Sequence, residues 1–214
     1  MPKLLLATKN AAKAREYRLL LRGMPLEIVA LDGQGIQAEV SETGRTLEQN
    51  AALKAVAYAR LSNMLTLADD SGLEVDALGG EPGVLSARYA GPGASDQERI
   101  ERLLKRLKGI PWERRIACFR CVIAIATPEG RVEICQGECE GVIALSPKGE
   151  NGFGYDPIFY LPQLDKTMAE LSIEEKNEIS HRGRAARKAR HILERMLEEN
   201  REKAQEGMAN SSKK

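Results

Sequence analysis

Apolar positions in this chain come in short runs separated by polar turns, and their period changes along the sequence. Leu4-Leu5-Leu6-Ala7 gives way at once to Thr8-Lys9-Asn10, and residues 11–22 then supply one apolar face with Tyr17, Leu20 and Leu21. The pattern predicts a strand, a polar turn and a helix N-terminus. A second strand is expected over 26–31. Leu47, Ala51, Ala55 and Ala59 recur at near-helical spacing and predict a helix over 46–60. Leu65-Thr66-Leu67-Ala68 reads as a buried strand ending in Asp69-Asp70-Ser71-Gly72. Residues 79–95, rich in glycine and carrying Pro82 and Pro92, predict a long ordered loop, and Ser95 can cap a helix over 96–108.

Residues 116–126 and 132–143 read as two strands of a hairpin around Pro128-Glu129-Gly130. Glu150-Asn151-Gly152-Phe153-Gly154-Tyr155-Asp156-Pro157 is turn-rich with two embedded aromatics, a composition unlike ordinary core. Ser172 with Glu175 forms a capping box, and Ser180 can cap a last helix running through Leu197. The expected organisation is one domain over 1–199 and a frayed or disordered tail over 200–214. Alternating strands and helices followed by an antiparallel hairpin predict an α/β, or mixed α+β, fold. One twisted sheet would be flanked by helices, with a cleft between two lobes.

Composition narrows the function. The 214 residues carry 32 Lys+Arg against 31 Asp+Glu, so the whole-molecule field gives no reason to expect bound nucleic acid. The apolar run at the N-terminus is too short for a signal segment or a membrane span, which points to a cytoplasmic protein. Cys118, Cys121, Cys135 and Cys139 form C-x2-C and C-x3-C pairs. In a hairpin an offset of three puts Cys118 and Cys121 on opposite faces, so buried thiols are expected in place of a zinc knuckle.

Three groups of residues carry candidate chemistry. Thr8, Asn10 and Lys13 sit where a strand becomes a helix, a place that favours a phosphate; the alternative is that Thr8 or Asn10 merely caps the helix and Lys13 is solvated. Asp69 and Asp70, read at a strand's carboxyl end, suit Mg²⁺, and a capping turn is the alternative. Phe153, Tyr155, Asp156, Lys176, His181 and Arg182 combine stacking surface with donors, acceptors and positive charge. That mix suits a nucleobase attached to phosphates. Arg184, Arg187, Lys188 and Arg190 spread around a helix and read mostly as a solvated face.

Taken in order, Ala7-Thr8-Lys9-Asn10-Ala11-Ala12-Lys13, Glu42-Thr43-Gly44, Asn50 to Ala55, Ala68-Asp69-Asp70-Ser71-Gly72, residues 83–88, Gly152 to Pro157 and Ser180-His181-Arg182 resemble the inosine triphosphate pyrophosphatase family. The resemblance implies an elongated mixed sheet, a homodimer, and Mg²⁺-dependent hydrolysis of ITP, dITP and XTP between the α- and β-phosphates. It implies that residues 8–13, with Lys9, Ala11 and Ala12 among them, cradle phosphate. Asp70 would act as metal-associated base beside Asp69, and Lys13 would offset charge. Ser71, Phe153, Gly154, Tyr155, Asp156, Lys176, His181 and Arg182 would contact the nucleotide. Immediately before Asn50 the family carries a metal-binding glutamate where this chain has Gln49, so the resemblance implies a metal site at Asp70 and Gln49 with weakened metal affinity. The competing readings are a Maf-like pyrophosphatase, a catalytically silent nucleotide binder, and a nucleic-acid-binding module.

Overall fold

The computed structural model describes residues 1–211. Its elements are β1 (Lys3–Leu6), α1 (Ala11–Leu20), β2 (Glu27–Ala30), α2 (Leu47–Ser62), β3 (Leu65–Val75), β4 (Pro82–Gly83), α3 (Asp96–Arg106), β5 (Ile116–Ala126), β6 (Val132–Ile143), β7 (Phe159–Leu161), β8 (Lys166–Thr167), α4 (Ile173–Ile179) and α5 (His181–Ser211). The fold is mixed α/β. One open sheet of eight strands runs β2-β1-β3-β5-β6-β7-β8, with β4 on β3. The β1 pairings with β2 and β3 are parallel and the remaining pairings are antiparallel.

Period-two alternation decides what covers each face. Leu4, Leu6, Leu67, Cys121, Ile123 and Ile125 meet α1 and α5 on one face. Leu5, Ala68, Val122, Ala124 and Ala126 meet α2 on the other. Small residues Ala51, Ala55 and Ala59 form the buried stripe of α2. Beyond both helices a further cluster gathers Leu73, Ala117, Phe119, Ile143 and Phe159 with Ile100, Leu103 and Leu107 of α3 and its C-terminal cap. Among the described residues, no helix is long and apolar enough to cross a membrane.

Several sequence expectations need correction. Asp69-Asp70-Ser71-Gly72 is not a turn: β3 runs unbroken for 11 residues, because β5 pairs with it from Thr66 to Val75. What ends near the aspartates is β1, whose last partner on β3 is Leu67. Tyr155 is core, only 4% exposed, because its ring joins the α3 cluster while its hydroxyl donates to Ser86 O at 3.0 Å. The last helix passes Leu197 and continues to Ser211. Residues 198–206 lack an apolar stripe but are mostly good helix formers. Residues 212–214 of the expected tail lie outside the described residues. Arg184, Arg187 and Lys188 are exposed and Arg190 is half-buried, yet their head groups are engaged. Arg184 donates to Glu138 O, Arg187 to Glu178 O, Lys188 to Gln136 O and Arg190 to Leu20 O, pinning the helix to its neighbours.

Candidate active site

The first wall of the site is the β1–α1 turn. Ala7 N still donates to Leu67 O at 2.8 Å, and the chain then leaves the sheet. Asn10 Oδ1 accepts from Lys13 N at 3.0 Å and caps the helix, while Thr8 Oγ1 accepts from Asn10 N at 3.2 Å and braces the turn before it. The capping and phosphate readings are compatible, since Lys9, Asn10 and Ala11 are exposed at the cleft with Ala12 half-buried behind them. Lys13 is not a solvated lysine. Its Nζ lies 2.9 Å from Asp69 Oδ2 and its side chain is only 16% exposed.

Because they are neighbours on a strand, the two aspartates face opposite sides of the sheet. Asp69 points toward α1 and α5, where Lys13, Arg182 at 3.6 Å and the Ser71 hydroxyl at 3.0 Å converge on its Oδ2. Burial pushes its carboxyl up, but Lys13, Arg182 and Lys54 outweigh it and hold the group far below the usual carboxylate range. It anchors cations and does not line the cleft. Asp70 points toward α2. Burial raises its carboxyl, Lys54 opposes the rise and Glu42 adds to it. Its Oδ2 is buried without a hydrogen-bond partner.

Lys54, one helical turn after Asn50 on α2, joins the two carboxylates. Its Nζ lies 2.6 Å from Glu42 Oε1 and 3.8 Å from Asp70 Oδ1, and donates to Asp69 O at 2.6 Å. Burial pulls this lysine down, but Asp70, Asp69 and Glu42 raise it further, so it stays cationic. Gln49 is not brought to Asp70. It is exposed, its Oε1 accepts from Arg45 N at 2.7 Å, and it is absent from the cleft wall. The acidic partner of Asp70 is Glu42, from the segment before α2.

The second wall carries buried charge. Glu16 of α1 receives Arg182 at 2.7 Å and Lys176 at 2.8 Å, and Lys176 also reaches Asp156 at 2.5 Å. Burial pushes Glu16 up, yet Arg182 and Lys176 bring it below its ordinary value. Arg182 is cationic despite burial because Glu16 and Asp69 face it. Phe153 lies over these cations, 4.7 Å from Lys176 Nζ and 5.3 Å from Arg182 Cζ. His181 stacks on Phe119 at 4.6 Å, and burial, then Arg182 and Lys176, keep it neutral. Two buried nitrogens here, Arg182 Nε and His181 Nδ1, have no hydrogen-bond partner.

A cleft of about 580 Å³ joins the two walls, reaching from Glu42, Lys54 and Asp70 past residues 8–13 to residues 153–156, Lys176, His181 and Arg182. The sequence model of the Ham1 family matches residues 4–192. The chain belongs to the Ham1 family. Among its relatives, a dITP/XTP pyrophosphatase from Desulforamulus reducens is 51% identical over 194 residues, covering 91% of this chain and 96% of that protein. A dITP/XTP pyrophosphatase from Bacillus subtilis is 47% identical over 194 residues, covering 91% and 98%. The solved HAM1 protein of Coxiella burnetii superposes with a TM-score of 0.83 at 42% identity, covering 91% of this chain and all of that one.

In this Ham1 chain Glu16 is missed from sequence, and Glu42 and Lys54, though inside the motifs of the resemblance, are given no role there. A charged residue on the inward stripe of a helix, as Glu16 is beside Tyr17, is the signal that could have found the first. Lys54 carries the same signal beside Ala55. Glu42 sits in an irregular segment with no period, and its signal is the Glu42-Thr43-Gly44 motif. The four cysteines are free, with Cys121 and Cys139 buried. Burial pushes Cys135 up to about 12 and Cys139 up to about 11, so these thiols stay protonated and are poor nucleophiles.

Proposed function

We propose that this protein hydrolyses abnormal purine nucleoside triphosphates, of the dITP and XTP kind, to the monophosphate and pyrophosphate. Its curated relatives carry that activity in their names at high coverage. The observation that carries the reading is that one cleft has a carboxylate end, a helix N-terminus and a cationic aromatic end. A nucleoside triphosphate has matching parts in the same order.

The carboxylate end fits a divalent cation, which we take to be Mg²⁺. Asp70 Oδ2 is buried and unpartnered, and Glu42 stands across Lys54 from it. Two carboxylates with substrate oxygens and water suit Mg²⁺ better than a closed protein cage. When bound, the cation neutralises phosphate charge. Asp70, at this end of the cleft, would orient the attacking water and accept its proton. Lys54 and Lys13 stabilise charge building on the pyrophosphate leaving group, and the free N–H groups at the start of α1 hold a phosphate. The purine stacks on Phe153, with Ser71, Gly154, Tyr155 and Asp156 shaping the pocket.

Arg182 Nε–H is an unpaired buried donor. A donor on Arg182 facing the purine 6-position would meet an acceptor on a 6-oxo purine and a donor on a 6-amino purine, which favours the former. By likeness to the family, the working unit is residues 1–199 in two lobes, paired as a cytoplasmic homodimer; light scattering and cell fractionation test those assignments. The activity itself is tested by product analysis of dITP turnover with Mg²⁺. Monophosphate and pyrophosphate in equal amounts are expected. Orthophosphate with dIDP would contradict the proposed cleavage.

A further inference from the structure

The loop that carries Phe153 is held from two directions. Asp156 Oδ2 accepts from Phe153 N at 2.9 Å, and Lys176 fixes the same carboxylate. On the other side Gly154 N donates to Asp96 Oδ2 at 2.6 Å. Gly154 is at φ +64°, a left-handed conformation that glycine adopts without penalty. Asp96 is the first residue of α3 but is not its cap, since Ser95 and Glu98 form a complete capping box without it. Its other carboxylate oxygen receives Arg99, which also donates to Ala87 O at 2.7 Å and Ala94 O at 2.9 Å. The start of α3 and the glycine-rich segment before it therefore clamp the aromatic loop.

We propose that Asp96 is a positioning residue for base recognition, fixing the Gly154 peptide and through it the Phe153 ring on which the purine stacks. The inference rests on the reading of the cleft as a purine triphosphate site. Asp96 meets neither the phosphates nor the attacking water in this scheme, so its effect falls on binding. A charge-assisted hydrogen bond to a backbone N–H restricts the loop before substrate arrives, and that ordering is otherwise drawn from binding energy.

The test is steady-state kinetics of pyrophosphate release from dITP by the full chain. Asp96→Ala is expected to raise KM about fivefold to tenfold with kcat within about twofold of the parent. Asp96→Asn keeps an acceptor and is expected to recover most of the loss. In a Phe153→Ala background Asp96→Ala is expected to add little, because the ring it positions is gone. An unchanged KM in Asp96→Ala, or a full additive effect on Phe153→Ala, would overturn the proposal. Should Asp96→Ala fail to fold, Asp96→Ser, too short to reach Gly154, takes its place with the same expectations. If the parent released no pyrophosphate, the activity would be at fault; calorimetric dITP affinities of the same variants would still decide the role of Asp96.

Discussion

Two adjacent aspartates do different work here because a strand turns successive side chains to opposite faces. Asp69 is a permanently ionised anchor for Lys13 and Arg182, whereas Asp70 is an under-satisfied carboxylate facing the cleft with Glu42. The metal prediction follows from that contrast. Glu42→Gln should raise the half-saturating Mg²⁺ concentration by about tenfold, the scale of one lost ligand charge at a partly exposed site. Gln49→Glu should leave it within about twofold, because Gln49 serves the Arg45 turn. A Mg²⁺ titration of pyrophosphate release checks both, and the reverse ranking would restore Gln49 to the metal site.

His181 gives a pH prediction of definite sign. Its folded pKa lies well below the ordinary 6.5, so the unfolded chain binds a proton below about pH 6.5 that the folded chain refuses. The stability it contributes is complete above that value and declines as pH falls through it. Between about pH 7.5 and about pH 5.5 the loss should be on the order of 1 kcal/mol, and His181→Gln should lack this loss. Urea midpoints at the two pH values read it. A parent chain equally stable at both would contradict the buried neutral imidazole.

At the scale of elements, α5 sits as deep as it does because β6 offers a glycine. A Cβ on Gly137 would lie 2.3 Å from His181 O and 2.4 Å from Ala185 N. Gly137→Ala should destabilise the fold by about 2 kcal/mol, a typical cost of overpacking against backbone. Because the displaced turn carries His181 and Arg182, KM for dITP should rise as well. Chemical denaturation and kinetics check the pair, and an unchanged midpoint would mean that α5 has room to shift.

The same scale shows what was legible in the sequence. The hairpin was readable to the residue, because long apolar alternation flanks Pro128-Glu129-Gly130. Caps at Asn10, Ser95 and Ser172 were readable from local chemistry. The Asp69–Gly72 stretch was misread because its residue types favour turns, while pairing with Arg120 to Ile123 of β5 makes it strand. Strands of two or three residues, such as β4, β7 and β8, are too short to show a period. The candidate site followed the same rule. Phe153, Lys176, His181 and Arg182 were visible as residue types; the inward stripe of α1 marks Glu16 as unusual, but its partners Lys176 and Arg182 are evident only once α1, α4 and α5 are packed together.

Over the whole molecule, near-neutral charge conceals a sharply ordered local field. Lys54 stands between Glu42 and Asp70 at one end of the cleft, and Lys176 and Arg182 lie under Phe153, paired with Glu16, Asp156 and Asp69, at the other, with a helix N-terminus between. In the proposed reading that order lets a chain with 32 basic and 31 acidic residues hold a small polyanion in one cleft. In the same reading the base end, where Phe153 lies over Lys176 and Arg182, is the seat of selection between 6-oxo and 6-amino purines. The most direct test is the specificity constant for pyrophosphate release at saturating Mg²⁺, measured for dITP and XTP beside dATP. The account predicts that dITP and XTP exceed dATP by at least about tenfold, equivalent to about 1.4 kcal/mol in transition-state binding. Equal specificity constants for dITP and dATP would contradict it.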